Sequence, residues 1–494
     1  GASVPEIRYV CLSDLHLGAA NSVLTHLDDA GEHVAGAAPL LQGVLRGLRQ
    51  LLEASGTTTP PTLVLHGDLF ELALTTTEMA ADTFGHFVVE AWGGPEAPLF
   101  APEVLFVPGN HDHHLWEIAR QRQYEHELHD PFRQVGAMRH VTPMSPDHLT
   151  TADVEPFIGD FARRALADDR TNECPRFRVL YPNLGLVDHD VGRAVVVTHG
   201  HYLEPMYRAM SFLHNVVTPD RPARLDVTQL EADNWAWIDF FWSTMGRSGE
   251  GQGNENAIPV LYELFQSQDS MEAVVDRVID DVLPRRRSVV RRAQRAAARH
   301  AGRRVVASVA QRERHHARVL SPEATTGLLN YLAGPVHGQL VDEFGEVPHR
   351  VDLVFGHTHK PFAARRHPTG FPGPVVAHNT GGWVVDAVQP EPTKGGSIAL
   401  ISAELEVVDL CIYRQSDEPG RSRVAVSPVS DAPHEPSPLR DWLVAEVTPT
   451  AEPWSSISGL AADTVADRQR QLAQRIAAGT VAVRSEPPIG PRGW

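Results

Sequence analysis

Five apolar runs in this chain each end on residues that carry chemistry. Leu63-Val64-Leu65 stops at His66-Gly67, presents Asp68, and continues to Glu71. Val10-Cys11-Leu12 leads into Ser13-Asp14-Leu15-His16, and Val104 to Val107 leads into Pro108-Gly109-Asn110-His111-Asp112. Val195-Val196-Val197 leads into Thr198-His199-Gly200-His201, and Val351 to Phe355 into Gly356-His357-Thr358-His359. A short β-favouring run bounded by glycine reads as a buried strand, and the loop at a strand's carboxyl end is where open α/β sheets carry their sites. A chain built this way is constrained to bring five such ends together.

The rest of the first 200 residues supplies the helices for that sheet. Leu41, Val44, Leu45, Leu48, Leu51 and Leu52 recur at helical spacing within 38–52, and further helices are predicted over 77–91, 115–128 and 155–167. Strand and helix alternate, the pattern of a largely parallel sheet with helices on its faces. Residues 130–175 read as an excursion across the surface. After the Gly356-His357-Thr358-His359 loop, strands near 375–378, 398–401 and 407–413 suggest the second sheet of a sandwich. Residues 415–438 are rich in Ser, Pro and Asp and read as a linker, followed by one helix over 461–478 and a loose end.

Between Tyr202 and Arg350 the strand signals vanish and helical patterns take over. The stretch carries an aromatic cluster of Trp235, Trp237, Ile238, Phe240, Phe241, Trp242 and Met245. It reads either as the core of a helical insertion or as an apolar cap that accepts an acyl chain. A glycine-rich loop at 249–253 and a helix over 258–283 follow. Next comes an arginine stripe from Arg285 to Arg304, either a solvated face or a contact for phosphate-rich or membrane surfaces. The organisation expected is 1–201 and 351–414 as two halves of one domain, 202–350 as an insertion, and 415–494 as linker and extension.

Composition narrows the partners. The net charge of −18, from 44 Lys plus Arg against 62 Asp plus Glu, argues against stable nucleic-acid binding. The three cysteines have no metal-type spacing and are odd in number, so a disulfide framework is not expected. No apolar run is long enough to cross a bilayer, and the chain as given reads as cytoplasmic, with a removed export signal left open. The oligomeric state is left open too.

In order, Asp14-x-His16, Gly67-Asp68, Gly109-Asn110-His111-Asp112, His199 and Gly356-His357-x-His359 resemble the five signature blocks of the calcineurin-like metallophosphoesterases. The resemblance spans roughly residues 7–410, interrupted by the insertion. It implies a four-layer α/β/β/α sandwich and two divalent metal ions, one held by Asp14, His16, Asp68 and His359, the other by Asp68, Asn110, His199 and His357. Two metals about 3.5–4 Å apart activate a water and neutralise phosphoryl charge, and a strand-end carboxylate such as Asp68 suits the bridge between them. Oxygen and nitrogen ligands without thiolate favour Mn, Fe or Zn.

The resemblance also implies that His111 approaches the scissile phosphate, with Asp112 orienting it. Histidine suits proton donation because its ordinary pKa is about 6.5. His201 is assigned to the outer shell or the phosphate. Glu71 stands where many relatives carry Asp and takes an outer role. The Gly-Asp-Leu-Phe-Glu wording at 67–71 and the Gly-His-Thr-His-Lys-Pro wording at 356–361 are similar to the UDP-2,3-diacylglucosamine pyrophosphatases, although those commonly carry Arg where this chain has His111. The expected function is metal-dependent hydrolysis of a phosphomonoester, phosphodiester or pyrophosphate bond, on a phosphorylated small molecule or a lipid- or nucleotide-linked substrate. The alternatives are a non-catalytic scaffold of the same fold and a Mn-dependent nuclease. Among 26 histidines a single one is more often surface or core than ligand, and His113, His114, His126 and His129 are assigned no role on that ground.

Overall fold

The apolar runs form two mixed sheets in an α/β molecule. The structure, a computed structural model, describes residues 5–72, 75–129, 136–150, 153–167, 173–218, 225–244, 318–416, 418, 422–430 and 436–477. In the first sheet β1 (Ile7–Leu12), β2 (Thr62–Leu65), β3 (Glu103–Phe106) and β4 (Arg176–Val179) lie parallel in that order. Val10, Cys11 and Leu12 pair with Leu63, Val64 and Leu65, so the Asp14 and Asp68 loops leave the sheet side by side. The second sheet runs β13 (Val429–Ser430), β8 (Phe362–Arg366), β9 (Val375–Asn379), β7 (Arg350–Phe355), β6 (Arg193–Thr198) and β5 (Asn183–Asp188). Here β6, β7 and β9 are parallel, which sets the His199 and His357 loops at one end.

Two later strands depart from expectation. The runs near 398–401 and 407–413 form β10 (Gly395–Ser402) and β11 (Val407–Arg414), but these join the first sheet, antiparallel to β1 through pairs such as Val10 with Leu400. Only the 375–378 run enters the second sheet. An apolar run identifies a strand without naming its neighbour, and β10 is buried on both faces. The 415–438 stretch is more than a linker: β12 (Ala425–Val426) extends the first sheet and β13 the second.

Helices cover these sheets for the reason their spacing gives. In α1 (Pro39–Ala54) the stripe from Leu40 to Leu52 is buried, and proline opens its first turn, where a missing N–H costs nothing. Thr76 caps α2 (Thr77–Trp92) by accepting from Met79 N at 3.2 Å. The helices α3 (His113–Leu128) and α4 (Pro156–Ala165) follow. Residues of these helices and the first sheet share one core, which also takes in Leu439 and Leu443 of α9 (Pro438–Glu446) and Trp454, Ile457, Ala461 and Val465 of α10 (Trp454–Ala477). A second core joins the second sheet to residues from 202 to 340, and a third draws Cys11, Val64 and Leu105 together with Val195, Val197 and Val354.

The described part of 202–350 is helical: α5 (Ala209–Val217), α6 (Val227–Ile238) continuing as a π-turn over Asp239–Thr244, α7 (Pro322–Tyr331) and α8 (His337–Phe344). Trp237, Ile238 and Trp242 are buried in the second core, whereas Phe240 is half exposed. Met245, the glycine-rich loop, the 258–283 helix and the arginine stripe lie outside the described residues. Among the described residues no helix is long and apolar enough to cross a membrane.

Candidate metal centre

Asp14, Asp68 and Asn110 leave the first sheet, and His199, His357 and His359 leave the second, yet their side chains meet. His199 Nε2 lies 2.9 Å from Asn110 Oδ1, 3.4 Å from Asp68 Oδ2 and 3.2 Å from His357 Nδ1. His359 Nε2 is 3.3 Å from Asp14 Oδ1, and His16 Nε2 is 3.7 Å from Asp68 Oδ2. Asp68 Oδ2 therefore faces both His16 and His199. All seven side chains are buried. Two groups, Asp14-His16-His359 and Asp68-His199-His357, place their donor atoms close enough to hold a metal ion.

The backbone is bent to achieve this. Six described non-glycine residues have left-handed φ, and five of them are Asp14, His16, Asp68, His357 and His359, at 51, 45, 51, 69 and 59°. An L-residue in that region costs roughly 1–2 kcal/mol, so the surrounding fold must hold these loops in place, and such outliers cluster at functional sites. The restraints are visible: Asp14 N donates to Gly67 O at 2.9 Å, His16 N to Asp68 O at 3.0 Å, and His357 N to Asp14 Oδ2 at 2.9 Å. Glycine is required by close approach at Gly109 and Gly356, where a Cβ would collide with Asp68 Oδ1 and Asp14 Oδ2.

Charge follows the geometry. Burial pushes the Asp68 and Asp14 carboxyls up, but neighbouring imidazoles outweigh it: chiefly His199 and His111 for Asp68, and His359 and His199 for Asp14. Both carboxylates end well below the ordinary range and stay ionised. Burial pulls His199 down, yet Asp68 wins and carries it up to about 9, which marks a ring poised beside concentrated negative charge. Burial, helped by the His199 charge and only partly opposed by Asp14, takes His66, two residues before Asp68, down to about 3.

Each candidate imidazole ligand is held by its other nitrogen. His16 Nδ1 meets Glu71 Oε2 at 3.0 Å, His199 Nδ1 meets the His66 carbonyl at 3.2 Å, His357 Nε2 meets Glu204 Oε1 at 2.6 Å, and His359 Nδ1 meets Asp386 Oδ2 at 3.3 Å. An imidazole that donates from one nitrogen to a carboxylate or carbonyl presents a lone pair on the other, the arrangement that orients metal-binding histidines. Glu204 and Asp386 carry no signature in the sequence. Their contacts form only when residues far from His359, or at the start of the insertion, fold over the centre.

Two assigned roles change. His111 is oriented by Glu71, whose Oε1 lies 2.7 Å from His111 Nδ1, and not by Asp112. Asp112 instead accepts from Leu69 N at 2.7 Å and Gly109 N at 2.5 Å, tying the Asn110 loop to the Asp68 loop. Burial and then the Asp68 charge push Asp112 up to about 7. Glu71 falls to about 2 because His111 and His16 overcome its burial. His201 packs beside His199, the rings tilted by 36° with centroids 5.6 Å apart, and meets Tyr181 Oη through Nε2 at 3.2 Å, in the layer behind the donors.

The insertion reaches the centre as well. Ser243 Oγ donates to the Asn110 carbonyl at 2.8 Å, and Tyr207 packs its ring 5.1 Å from that of His357 and 4.6 Å from that of Trp242. No protein-family model matches the chain, and no curated protein matches it significantly.

Proposed function

We propose that this protein is a dinuclear-metal phosphoesterase of the calcineurin-like kind, a four-layer α/β/β/α sandwich with a helical insertion. The observation that carries the reading is the set of anchored imidazoles, drawn from both sheets and aimed at carboxylate and amide oxygens of the first. The layering is supported by the three cores, one between the sheets and one outside each. Asp14, His16, Asp68 and His359 would hold one ion, and Asp68, Asn110, His199 and His357 the other. Mn, Fe or Zn bound there supplies a hydroxide at neutral pH and neutralises phosphoryl charge.

The chain's own residues do the remainder. Glu71 accepts from His111 Nδ1 and so orients the ring, which leaves Nε2 as the nitrogen that would donate to a leaving oxygen. Glu71 holds His16 at the same time, so the acid and one ligand share a single support. Asp112 keeps the Asn110-His111 loop against the Asp68 loop, and Ser243 and Glu204 bring the insertion over it. The substrate is a phosphomonoester, phosphodiester or pyrophosphate, with a lipid- or nucleotide-linked group beneath the insertion. Every ligand position is filled, which favours catalysis over a scaffold role.

The test is a metal-stripped chain reconstituted with Mn, Fe(II) or Zn and assayed on p-nitrophenyl phosphate, bis-p-nitrophenyl phosphate, a UDP-linked lipid and labelled single-stranded DNA, beside Asp68→Asn. Metal-dependent turnover that collapses in the variant supports the reading. Full turnover in Asp68→Asn, or none on any substrate, removes it.

A further inference from the structure

A second group of buried donors lies where α3 meets α6. His113 and Glu117 are one turn apart on α3, and Glu231 comes from α6. Their donor atoms all fall within 4.8 Å of one another, and the three residues are 0, 3 and 0% exposed. His113 Nε2 is 2.9 Å from Glu231 Oε1, while Glu231 Oε2 accepts from the Tyr181 and Tyr202 hydroxyls. Glu117 Oε2 accepts from Arg120 Nε at 3.0 Å, but Glu117 Oε1, fully buried, has no hydrogen-bond partner among the described residues. Asp239 Oδ1 adds a third carboxylate 3.7 Å from His113 Nδ1.

The group concentrates carboxylate oxygens in a buried place and leaves one of them, Glu117 Oε1, unmet. Three carboxylates confront one imidazole ring and Arg120, with His114 shared by Asp239 at 3.1 Å. A buried carboxylate oxygen without a donor carries its desolvation cost uncompensated. One imidazole nitrogen and two carboxylates form the donor set that Mn or Zn accepts.

We propose that His113, Glu117 and Glu231 form a further divalent-cation site, in which the ion takes the place of the proton shared by His113 Nε2 and Glu231 Oε1 and satisfies Glu117 Oε1. The ion ties the 202–350 segment to the helix that starts directly after the His111 loop. Ser243, five residues beyond the end of α6, already bonds Asn110 O in that loop and His114 N in the first turn of α3, at 2.8 and 3.3 Å. The role is structural, and it stands apart from the hydrolytic reading.

The test counts metal on the full chain, stripped by a chelator and titrated with Mn or, separately, Zn, beside Glu117→Gln. One equivalent more in the parent chain than in the variant is expected, three against two where the proposed pair also fills. A parent chain holding two, both kept in Glu117→Gln, overturns the site and leaves the proposed pair. A single equivalent that Glu117→Gln loses does the reverse. Should the variant fail to fold, anomalous diffraction from Mn-soaked crystals of the parent chain decides the matter: a peak about 2.0–2.3 Å from His113 Nε2 is expected, and its absence overturns the site.

Discussion

Glu71 accepts from His111 Nδ1 at 2.7 Å, and its second oxygen reaches His16 Nδ1 at 3.0 Å. One carboxylate thus fixes the proton placement of a candidate acid and of a candidate ligand. Replacing Glu71 by Gln keeps the shape and removes the charge. Losses at such supports run about 10–100-fold in activity or metal affinity. We expect kcat to fall within that range while KM changes little, and steady-state kinetics at saturating metal would check it.

Gly109→Ala tests the close approach between loops. The added methyl would strike Asp68 Oδ1, and inserting a carbon into a filled site costs about 1–3 kcal/mol. A lowered denaturation midpoint together with reduced metal content is expected. An unchanged midpoint would show that the loops have room to spare.

Glu204→Gln probes the insertion's grip on the centre. Glu204 stands 2.6 Å from His357 Nε2. A drop of about 10–100-fold in affinity for one of two ions is expected, with the other unaffected. Isothermal titration would separate the two, and equal binding in variant and parent would dismiss the role.

His378 gives a pH signature away from the centre. On β9 of the second sheet, it meets Asp409 Oδ2 on β11 of the first at 2.8 Å and Asp352 Oδ1 at 3.2 Å. Burial pulls it down, but Asp409 and Asp352 carry it up to about 10. A folded-state pKa raised above an unfolded value of about 6.5 contributes stability that is complete below pH 6.5 and lost as pH rises through 10. Denaturant midpoints should therefore decline from neutral to alkaline pH, and His378→Gln, less stable at neutrality, should flatten that decline. A parent chain with constant stability from pH 7 to 10 would refute the link.

Removing residues 454–494 tests the last helix. Trp454 and Ile457 pack against Gly47 of α1, and Trp454, Ile457, Ala461 and Val465 are buried in the first core. Fully burying one large apolar side chain contributes about 1.5–3 kcal/mol. The shortened chain should lose several such contributions and aggregate; a monomeric, cooperatively melting product would contradict this.

What the sequence made legible was local. Gly67-Asp68 and Gly109-Asn110-His111 announce themselves because glycine, carboxylate and imidazole stand beside an apolar run, and the structure brings their side chains together. Partnerships across distance were not legible. The apolar run of β10 gives a strand but not its place beside β1, and nothing near Asp386 indicates that it faces His359. The resemblance implied Asp112 as the support of His111, whereas Glu71, from the loop that follows β2, takes that position. His113 carried no motif, and its burial against Glu231 depends on the insertion returning to α3.

Donors that ride on separate sheets impose a reciprocity. Any cation gathered between Asp14 and His359, or between Asp68 and His199, gains affinity only to the extent that the two β-structures are already seated on each other. Ligand occupancy and cohesion of the halves would then be one equilibrium viewed from opposite ends, and a chelator would act on a metal-loaded molecule as a mild denaturant does.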